Sequence, residues 1–253
     1  MNSTLKLVSV LLLGFVSLLS VDTFAADSKG TVFITGANRG IGLALAQNFS
    51  NAGFSVIGTA RKPQQAAELK ETGARVEQLD VTDQASVDAM AQRLGGTSID
   101  ILINNAGIVG GESKDMASLD VDDMQWVLNV NTLGPVRVTK ALFPNVLSSE
   151  RKMVVNISSM MGSMELNTWG CCLGYRASKA ALNSFNQTLS VEYGKQGMVF
   201  VVLHPGYVKT DMNKGAGNIT TAVSADGLFK VISELDASDN GGFYDFSGKP
   251  MPW

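Results

Sequence analysis

Thr31-Val32-Phe33-Ile34-Thr35-Gly36-Ala37-Asn38-Arg39-Gly40-Ile41-Gly42 carries a short β-rich run into the start of a helical pattern through a turn with three glycines. In that setting each glycine has a physical task. Gly36 permits the sharp turn, Gly40 lets backbone come close to a pyrophosphate, and Gly42 lets the helix pack closely on the strand. The helix that opens here aims its N-terminus at anionic phosphates. Asn38, Arg39 and Ile41 share the turn and count with the glycines as candidate dinucleotide ligands. The spacing is Gly-x3-Gly-x-Gly rather than the commoner Gly-x-Gly-x2-Gly. Glycine after a strand is frequent in α/β proteins, so the flanking strand and helix give this turn its meaning.

Outward from the turn the pattern alternates. Strands are predicted over 54–59, 75–79, 99–103, 153–157, 199–203 and 242–245. Helices are predicted over 41–51, 63–71, 83–93, 121–147, 175–193 and 225–235. Pro63 suits a first helical turn, Asp83 an N-cap, and the long 121–147 stretch should bend before Pro135. Continuously apolar strands separated by helices imply a parallel sheet covered on both faces. Right-handed crossovers then give one doubly wound Rossmann-type α/β domain over 27–253, with no internal repeat, low-complexity tract or linker. The longest stretch without clear periodicity, 209–224, is the natural candidate for a mobile substrate lid.

Residues 1–26 differ from the rest. Lys6 precedes an apolar run of about 13 residues, and Thr23-Phe24-Ala25 offers small residues where a signal peptidase cuts. The run is short of the ~20 residues that span a bilayer comfortably. A cleaved leader implies an exported protein, periplasmic, secreted or ER-lumenal; an uncleaved one implies a membrane anchor through this segment or a cytoplasmic domain. With 253 residues and a net charge of −3 spread along the chain, no basic patch suits nucleic acid. The two cysteines, Cys171 and Cys172, are adjacent and cannot staple distant segments, so they read as small semi-polar loop residues. One histidine, His204, and no second cysteine cluster disfavour a conventional zinc site, and no metal is expected.

Ala60 and Arg61 follow the second strand. An enzyme using NAD usually has an acidic residue there for the adenosine ribose hydroxyls. Here a cation stands instead, so a 2′-phosphate would be welcomed by Arg61 with help from Arg39, and NADP(H) is expected over NAD(H). Asp80-Val81 after the third strand could meet the adenine amino group. Asn104-Asn105-Ala106-Gly107 after the fourth supplies small and amide-bearing residues for close backbone approach and for hydrogen bonds that brace the sheet.

The chemistry points to Tyr175-Arg176-Ala177-Ser178-Lys179. Tyr175 and Lys179 are four apart on a predicted helix and share a face. A phenol titrates near ~10, and a neighbouring ammonium together with an oxidised nicotinamide would lower that value. Ser158 and Ser159 lie at the carboxyl end of the fifth strand, where open parallel sheets bind ligands. A hydroxyl there could steady a developing alkoxide.

Thr35-Gly36 to Gly42, Asn104 to Gly107, Asn131, the serine pair, Tyr175 to Lys179 and Pro205-Gly206 occur in an order that resembles the short-chain dehydrogenase/reductase family over nearly all of residues 31–253. The resemblance implies that Tyr175 is the general acid for carbonyl reduction, that Lys179 lowers its pKa and holds the cofactor ribose, and that Ser159 polarises the carbonyl. Asn131 would hold a water in a proton relay to Lys179. Pro205, Gly206, Val208 and Thr210 would meet the nicotinamide end of the cofactor, with transfer of the pro-S hydride. The gap from Ser159 to Tyr175 is longer than in many members. The segments 156–163, 204–212 and 247–253 are further similar to sniffer-type carbonyl reductases and C-factor-like proteins.

The expected activity is therefore reversible, NADP(H)-dependent reduction of aldehydes or ketones to alcohols, with a small carbonyl or alcohol as substrate and a homodimer or homotetramer as the assembly. The alternative is a C-factor-like signalling protein that binds the dinucleotide with little or no turnover. A sugar-nucleotide epimerase is disfavoured, because residues 206–253 are too few for the larger substrate domain of such enzymes.

Overall fold

In the computed structural model, which describes residues 28–111 and 116–253, strands form at β1 (Thr31–Ile34), β2 (Ser55–Ala60), β3 (Arg75–Gln78), β4 (Ile101–Asn104), β5 (Met153–Ile157), β6 (Val199–His204) and β7 (Phe243–Asp245). The segment read as a leader, 1–26, lies outside the described residues. Between the strands run α1 (Gly40–Asn51), α2 (Ala67–Glu71), α3 (Gln84–Leu94), α4 (Val121–Leu128), α5 (Gly134–Leu147), α6 (Leu173–Tyr193) and α7 (Thr221–Glu234). All seven strands pair in parallel in the order β3-β2-β1-β4-β5-β6-β7. The order reverses between β1 and β4, so the crevice for a ligand opens at their carboxyl ends, beside the glycine turn.

The central strands are largely apolar because both faces are covered, whereas the edge strand β3, Arg75-Val76-Glu77-Gln78, is mostly polar. Along β1, Val32 and Ile34 pack with Leu45 and Phe49 of α1 and Leu228 of α7, while Phe33 packs with Met90 of α3 and Leu142 of α5. Successive side chains point to opposite faces of a strand, so one run of residues supplies both cores.

Several boundaries differ from the sequence-based expectation for identifiable reasons. The stretch 63–71 is a single 3-10 turn (Pro63–Gln65) followed by α2. The expected bend before Pro135 is a π-helical turn over Asn129–Leu133 that joins α4 to α5 without a break. Pro135 lies just past that turn, at the start of α5, where the π turn already breaks the regular i→i−4 ladder that its missing N–H would interrupt. The stretch 209–224 has more structure than its lack of periodicity suggests. Thr210 and Asn213 close a capping box around a 3-10 turn, and Thr220 caps α7 through the Val223 amide. Asp83 caps α3 as expected, accepting from the Ala85 amide.

A line of buried amides ties the centre of the sheet to α6. Asn104 and Asn156 face each other in register on β4 and β5, and Asn104 donates to Asn156 at 2.9 Å. Asn156 donates to Asn186 of α6 at 2.9 Å, and Asn186 donates to the Phe200 carbonyl at 3.3 Å. Removing the middle member strands buried partners on either side, and each such group costs about 1–3 kcal/mol. Asn156→Ala is therefore expected to destabilise the protein by about 3 kcal/mol, read as a lower urea midpoint at constant slope. A loss below about 1 kcal/mol would show that the line is not structural.

Candidate active site

The glycine turn is locked from the β4 side. Thr35 Oγ1 accepts the Asn105 and Ala106 amides at 2.9 and 3.0 Å, and Asn105 Nδ2 donates to the carbonyls of Thr35 and Gly36 at 2.9 and 3.1 Å. Gly36 and Gly40 sit at φ 63° and 60°, a region that favours glycine. A Cβ on Gly42 would lie 2.5 Å from both Asn105 Nδ2 and the Gly36 oxygen. Arg39, at the N-cap of α1, makes no side-chain cap, so none of the first amides of α1 is met by it. This cradle fits a pyrophosphate: bare backbone at a helix start, held open by glycines.

The other expected cofactor residues gather around the same crevice. Asn38 is exposed and Ile41 half-buried on the turn. Thr210 Cγ2 lies 4.0 Å from where a Cβ of Gly40 would stand, and Asp211 pairs with Arg39 at 3.3 Å, so the 208–211 segment lies along the turn. That ion pair is exposed on both sides and contributes little to stability. Ala60 closes β2 without a carboxylate, and Arg61 beside it is exposed. Burial raises the Asp80 carboxyl, but bonds from the Thr82 hydroxyl and amide, together with Arg61, more than offset it and hold it below its ordinary value. Val81 is buried against the start of α5. Pro205 accepts from Ser224, Gly206 (φ 86°) packs against Ile219 and Phe246, and the Val208 carbonyl is held by Asn213.

The chemical groups converge one strand further along. Ser159 ends the β5 loop, its Oγ accepting from the Met161 amide at 3.1 Å, and it is near enough to the Tyr175 phenol to act against the rise in that group's pKa. Ser158 is engaged elsewhere, donating to Asn183 at 2.7 Å. Tyr175 and Lys179 lie on consecutive turns of α6, with Nζ 5.8 Å from the phenol ring centroid. Lys179 is buried and donates to the Ile157 carbonyl at 2.9 Å. A Cβ on Gly107 would lie 3.3 Å from Asn131 Oδ1 and 3.7 Å from Lys179 Nζ, so these groups surround one small space that glycine keeps open.

The expected lowering of the Tyr175 phenol refers to the protein with an oxidised dinucleotide beside it. In the protein alone the Tyr175 phenol is not lowered by Lys179. Burial pushes it up to about 12, outweighing the lowering by Ser159, and Cys172 adds to the rise. Burial brings the Lys179 ammonium down to about 8. Desolvation disfavours the charged form of each and dominates both shifts, with the ammonium donating to the Ile157 carbonyl. Asn131 also differs in emphasis. Its amide is fully buried in the π turn, exchanges bonds with both backbone groups of Ile108 at 2.8 and 2.9 Å, and donates to Ser178 at 3.0 Å. It thereby clamps the β4 loop to α6.

Sequence reasoning passed over Arg176, the second residue of the Tyr-to-Lys segment. It is buried, donates from Nε to the carbonyls of Gly170 and Cys171 at 2.9 and 3.2 Å, and stacks over Trp169 at 4.5 Å. Asn183 and Asn186 were likewise unread. The one signal for their network is a polar residue inside an otherwise apolar strand, Asn156 in Met153-Val154-Val155-Asn156-Ile157. A cavity of about 500 Å³ is lined by Met161, Met164, Cys172, Leu173, Arg176 and Ala180 among others, but by neither Tyr175 nor Ser159. Its α6 residues, Leu173, Arg176, Ala177 and Ala180, lie on a different face of that helix from Tyr175 and Lys179.

Residues 30–219 match the family model for the short chain dehydrogenases, and the chain belongs to that family. Among its relatives, the C-signal of Myxococcus xanthus is 39% identical over 155 residues, covering 61% of this chain and 93% of that protein. The NADPH-bound carbonyl reductase from chicken fatty liver superposes with a TM-score of 0.81 at 35% identity, over 89% of this chain and 100% of that one. The carbonyl reductase Sniffer of D. melanogaster gives 0.82 at 29% identity, over 88% and 99%.

Proposed function

We propose that the protein is an NADP(H)-dependent carbonyl reductase in which Ser159, Tyr175 and Lys179 act on the substrate oxygen. The observation that carries this reading is the convergence of Tyr175, Lys179 and Asn131: Lys179 Nζ lies 5.8 Å from the phenol ring centroid, and Gly107, on the loop after β4, keeps open the space beside Nζ and Asn131 Oδ1. The likeness to an NADPH-bound carbonyl reductase supports it. The glycine turn, Arg61 and the 208–210 segment would hold the dinucleotide, which supplies a hydride when bound. The phenol of Tyr175, kept protonated by its dry setting, donates the proton to the carbonyl oxygen. The Ser159 hydroxyl donates a second hydrogen bond to that oxygen and so favours the developing alkoxide. Lys179, one turn along α6, is placed to steady the phenolate that remains. Asn131 acts by position, fixing the β4 loop against the helix that carries both groups. The test is a panel of aldehydes and ketones followed by dinucleotide absorbance, with NADPH and NADH side by side; no turnover with any carbonyl would overturn the reading.

The cofactor preference has its own test. A charge-assisted hydrogen bond is worth about 1.5–3 kcal/mol, so Arg61→Ala is expected to raise KM for NADPH by about tenfold or more while leaving that for NADH unmoved. Equal effects on both cofactors would remove Arg61 from the 2′-phosphate site. The C-signal likeness favours a second reading, dinucleotide-dependent signalling. The two part at Tyr175→Phe: a biological effect retained without reductase turnover supports signalling.

A further inference from the structure

Cys171 and Cys172 stand on the loop into α6, outside the cluster that handles the substrate oxygen. Adjacent side chains point to opposite faces in a strand and roughly 100° apart in a helix, so neighbouring cysteines ordinarily hold their sulfurs apart. This loop defeats that tendency. Gly170, Cys171 and Cys172 all have positive φ, 71°, 64° and 53°. Such values are uncommon for residues with a side chain, and two in succession turn both thiols to one side. The Sγ atoms face each other at 2.6 Å. Cys171 is exposed and Cys172 half-buried, so a small reagent reaches the pair.

We propose that Cys171 and Cys172 form a thiol–disulfide exchange site that reacts with small-molecule disulfides and closes as a vicinal disulfide, and that closure is felt at Tyr175. The Cys171 thiolate attacks one sulfur of the small disulfide. That S–S bond breaks, a mixed disulfide forms on Cys171, and the first small thiol leaves, taking up a proton. The Cys172 thiolate then attacks the Cys171 sulfur and expels the second small thiol. Two protein thiols are oxidised, and one small disulfide is reduced to two thiols. A dithiol reductant reverses the sequence. Strained disulfides of this kind are the labile, switchable ones.

The link to the catalytic cleft runs through Arg176. Its amide donates to the Cys172 carbonyl at 2.9 Å, and its guanidinium holds the Gly170 and Cys171 carbonyls. Closing the ring therefore acts on the first turn of the helix that presents Tyr175, one residue before Arg176.

The full chain contains two cysteines, so every thiol counted belongs to this pair. The protein is equilibrated with oxidised glutathione, quenched with acid, alkylated with a maleimide and weighed intact. The wild type is expected to lose two hydrogens and both maleimide additions while keeping no glutathione, and dithiothreitol is expected to restore both. Cys172→Ser, left with the exposed Cys171, is expected to retain one glutathione. A wild type that keeps two alkylatable thiols, ends with bound glutathione, or links to a second chain overturns the proposal. Carbonyl turnover is expected to change severalfold on oxidation and to recover with dithiothreitol; turnover that does not move removes the coupling to Tyr175. This last measurement rests on the reductase reading and the mass does not, so failure of the exchange and failure of that reading are told apart.

Discussion

Tyr175→Phe is expected to lower kcat for carbonyl reduction by about 1,000-fold, the middle of the range for losing a positioned general acid, while NADPH still binds. The substitution removes one hydroxyl and keeps the ring, so the packing of α6 is retained. Ser159 keeps its bond from the Met161 amide and remains oriented. What disappears is the hydroxyl proposed to give its proton to the carbonyl oxygen, while Lys179 keeps its bond to the Ile157 carbonyl. A kcat within about tenfold of wild type would assign the proton to another group. The pH profile of the wild type carries a related expectation. Lys179 loses its charge near pH 8, whereas the phenol holds its proton to about 12. Reductive kcat/KM should therefore decline as pH rises through about 8, because the ammonium that steadies the departing phenolate is neutralised first. A profile flat from there into the phenol range would remove that task from Lys179.

Gly42→Ala is expected to be nearly as damaging for a different reason. The added methyl would stand 2.5 Å from Asn105 Nδ2, 2.5 Å from the Gly36 oxygen and 3.0 Å from Ala37 Cα. Two of these are backbone atoms that cannot swing aside, and the third is the amide that locks the turn. The turn must open, and overpacking of this kind costs about 1–3 kcal/mol. Displacing the pyrophosphate cradle by about 1 Å would lower NADPH-supported turnover by about 100-fold. Gly96→Ala is the control, since a Cβ there meets nothing within 4 Å. Equal behaviour of the two variants would show that the close packing of α1 on the turn is not what shapes the crevice.

Much of this site could be read from the chain because its motifs are local. The glycine turn declares itself by strand, glycines and helix in a row, and the Tyr175–Lys179 pair by a spacing that any helix converts into a shared face. β5 is bounded by an apolar run, broken by Asn156, that ends at two serines. The resemblance favours Ser159 of the two; that Asn183 takes up Ser158 is hidden from the sequence, because it is 25 residues away along the chain. The raised Tyr175 phenol of the protein alone is hidden from the sequence for a similar reason. The Lys179 ammonium is drawn to the Ile157 carbonyl, a partner no spacing rule supplies. The cysteines read as loop residues, and the approach of their sulfurs depends on backbone angles that the sequence does not display. Adjacent residues carry no information about which way their side chains turn until φ is known.

The π turn at Asn129–Leu133 fits one surplus residue into what would otherwise be a single rod. An additional residue rotates everything downstream by about 100° around the axis. One continuous element thereby presents its first half, α4, to α6 and its second half, α5, to α3. Excising a single residue there would smooth the rod but swing one half out of its berth, so the length of this segment should tolerate change far less than the composition of its surface.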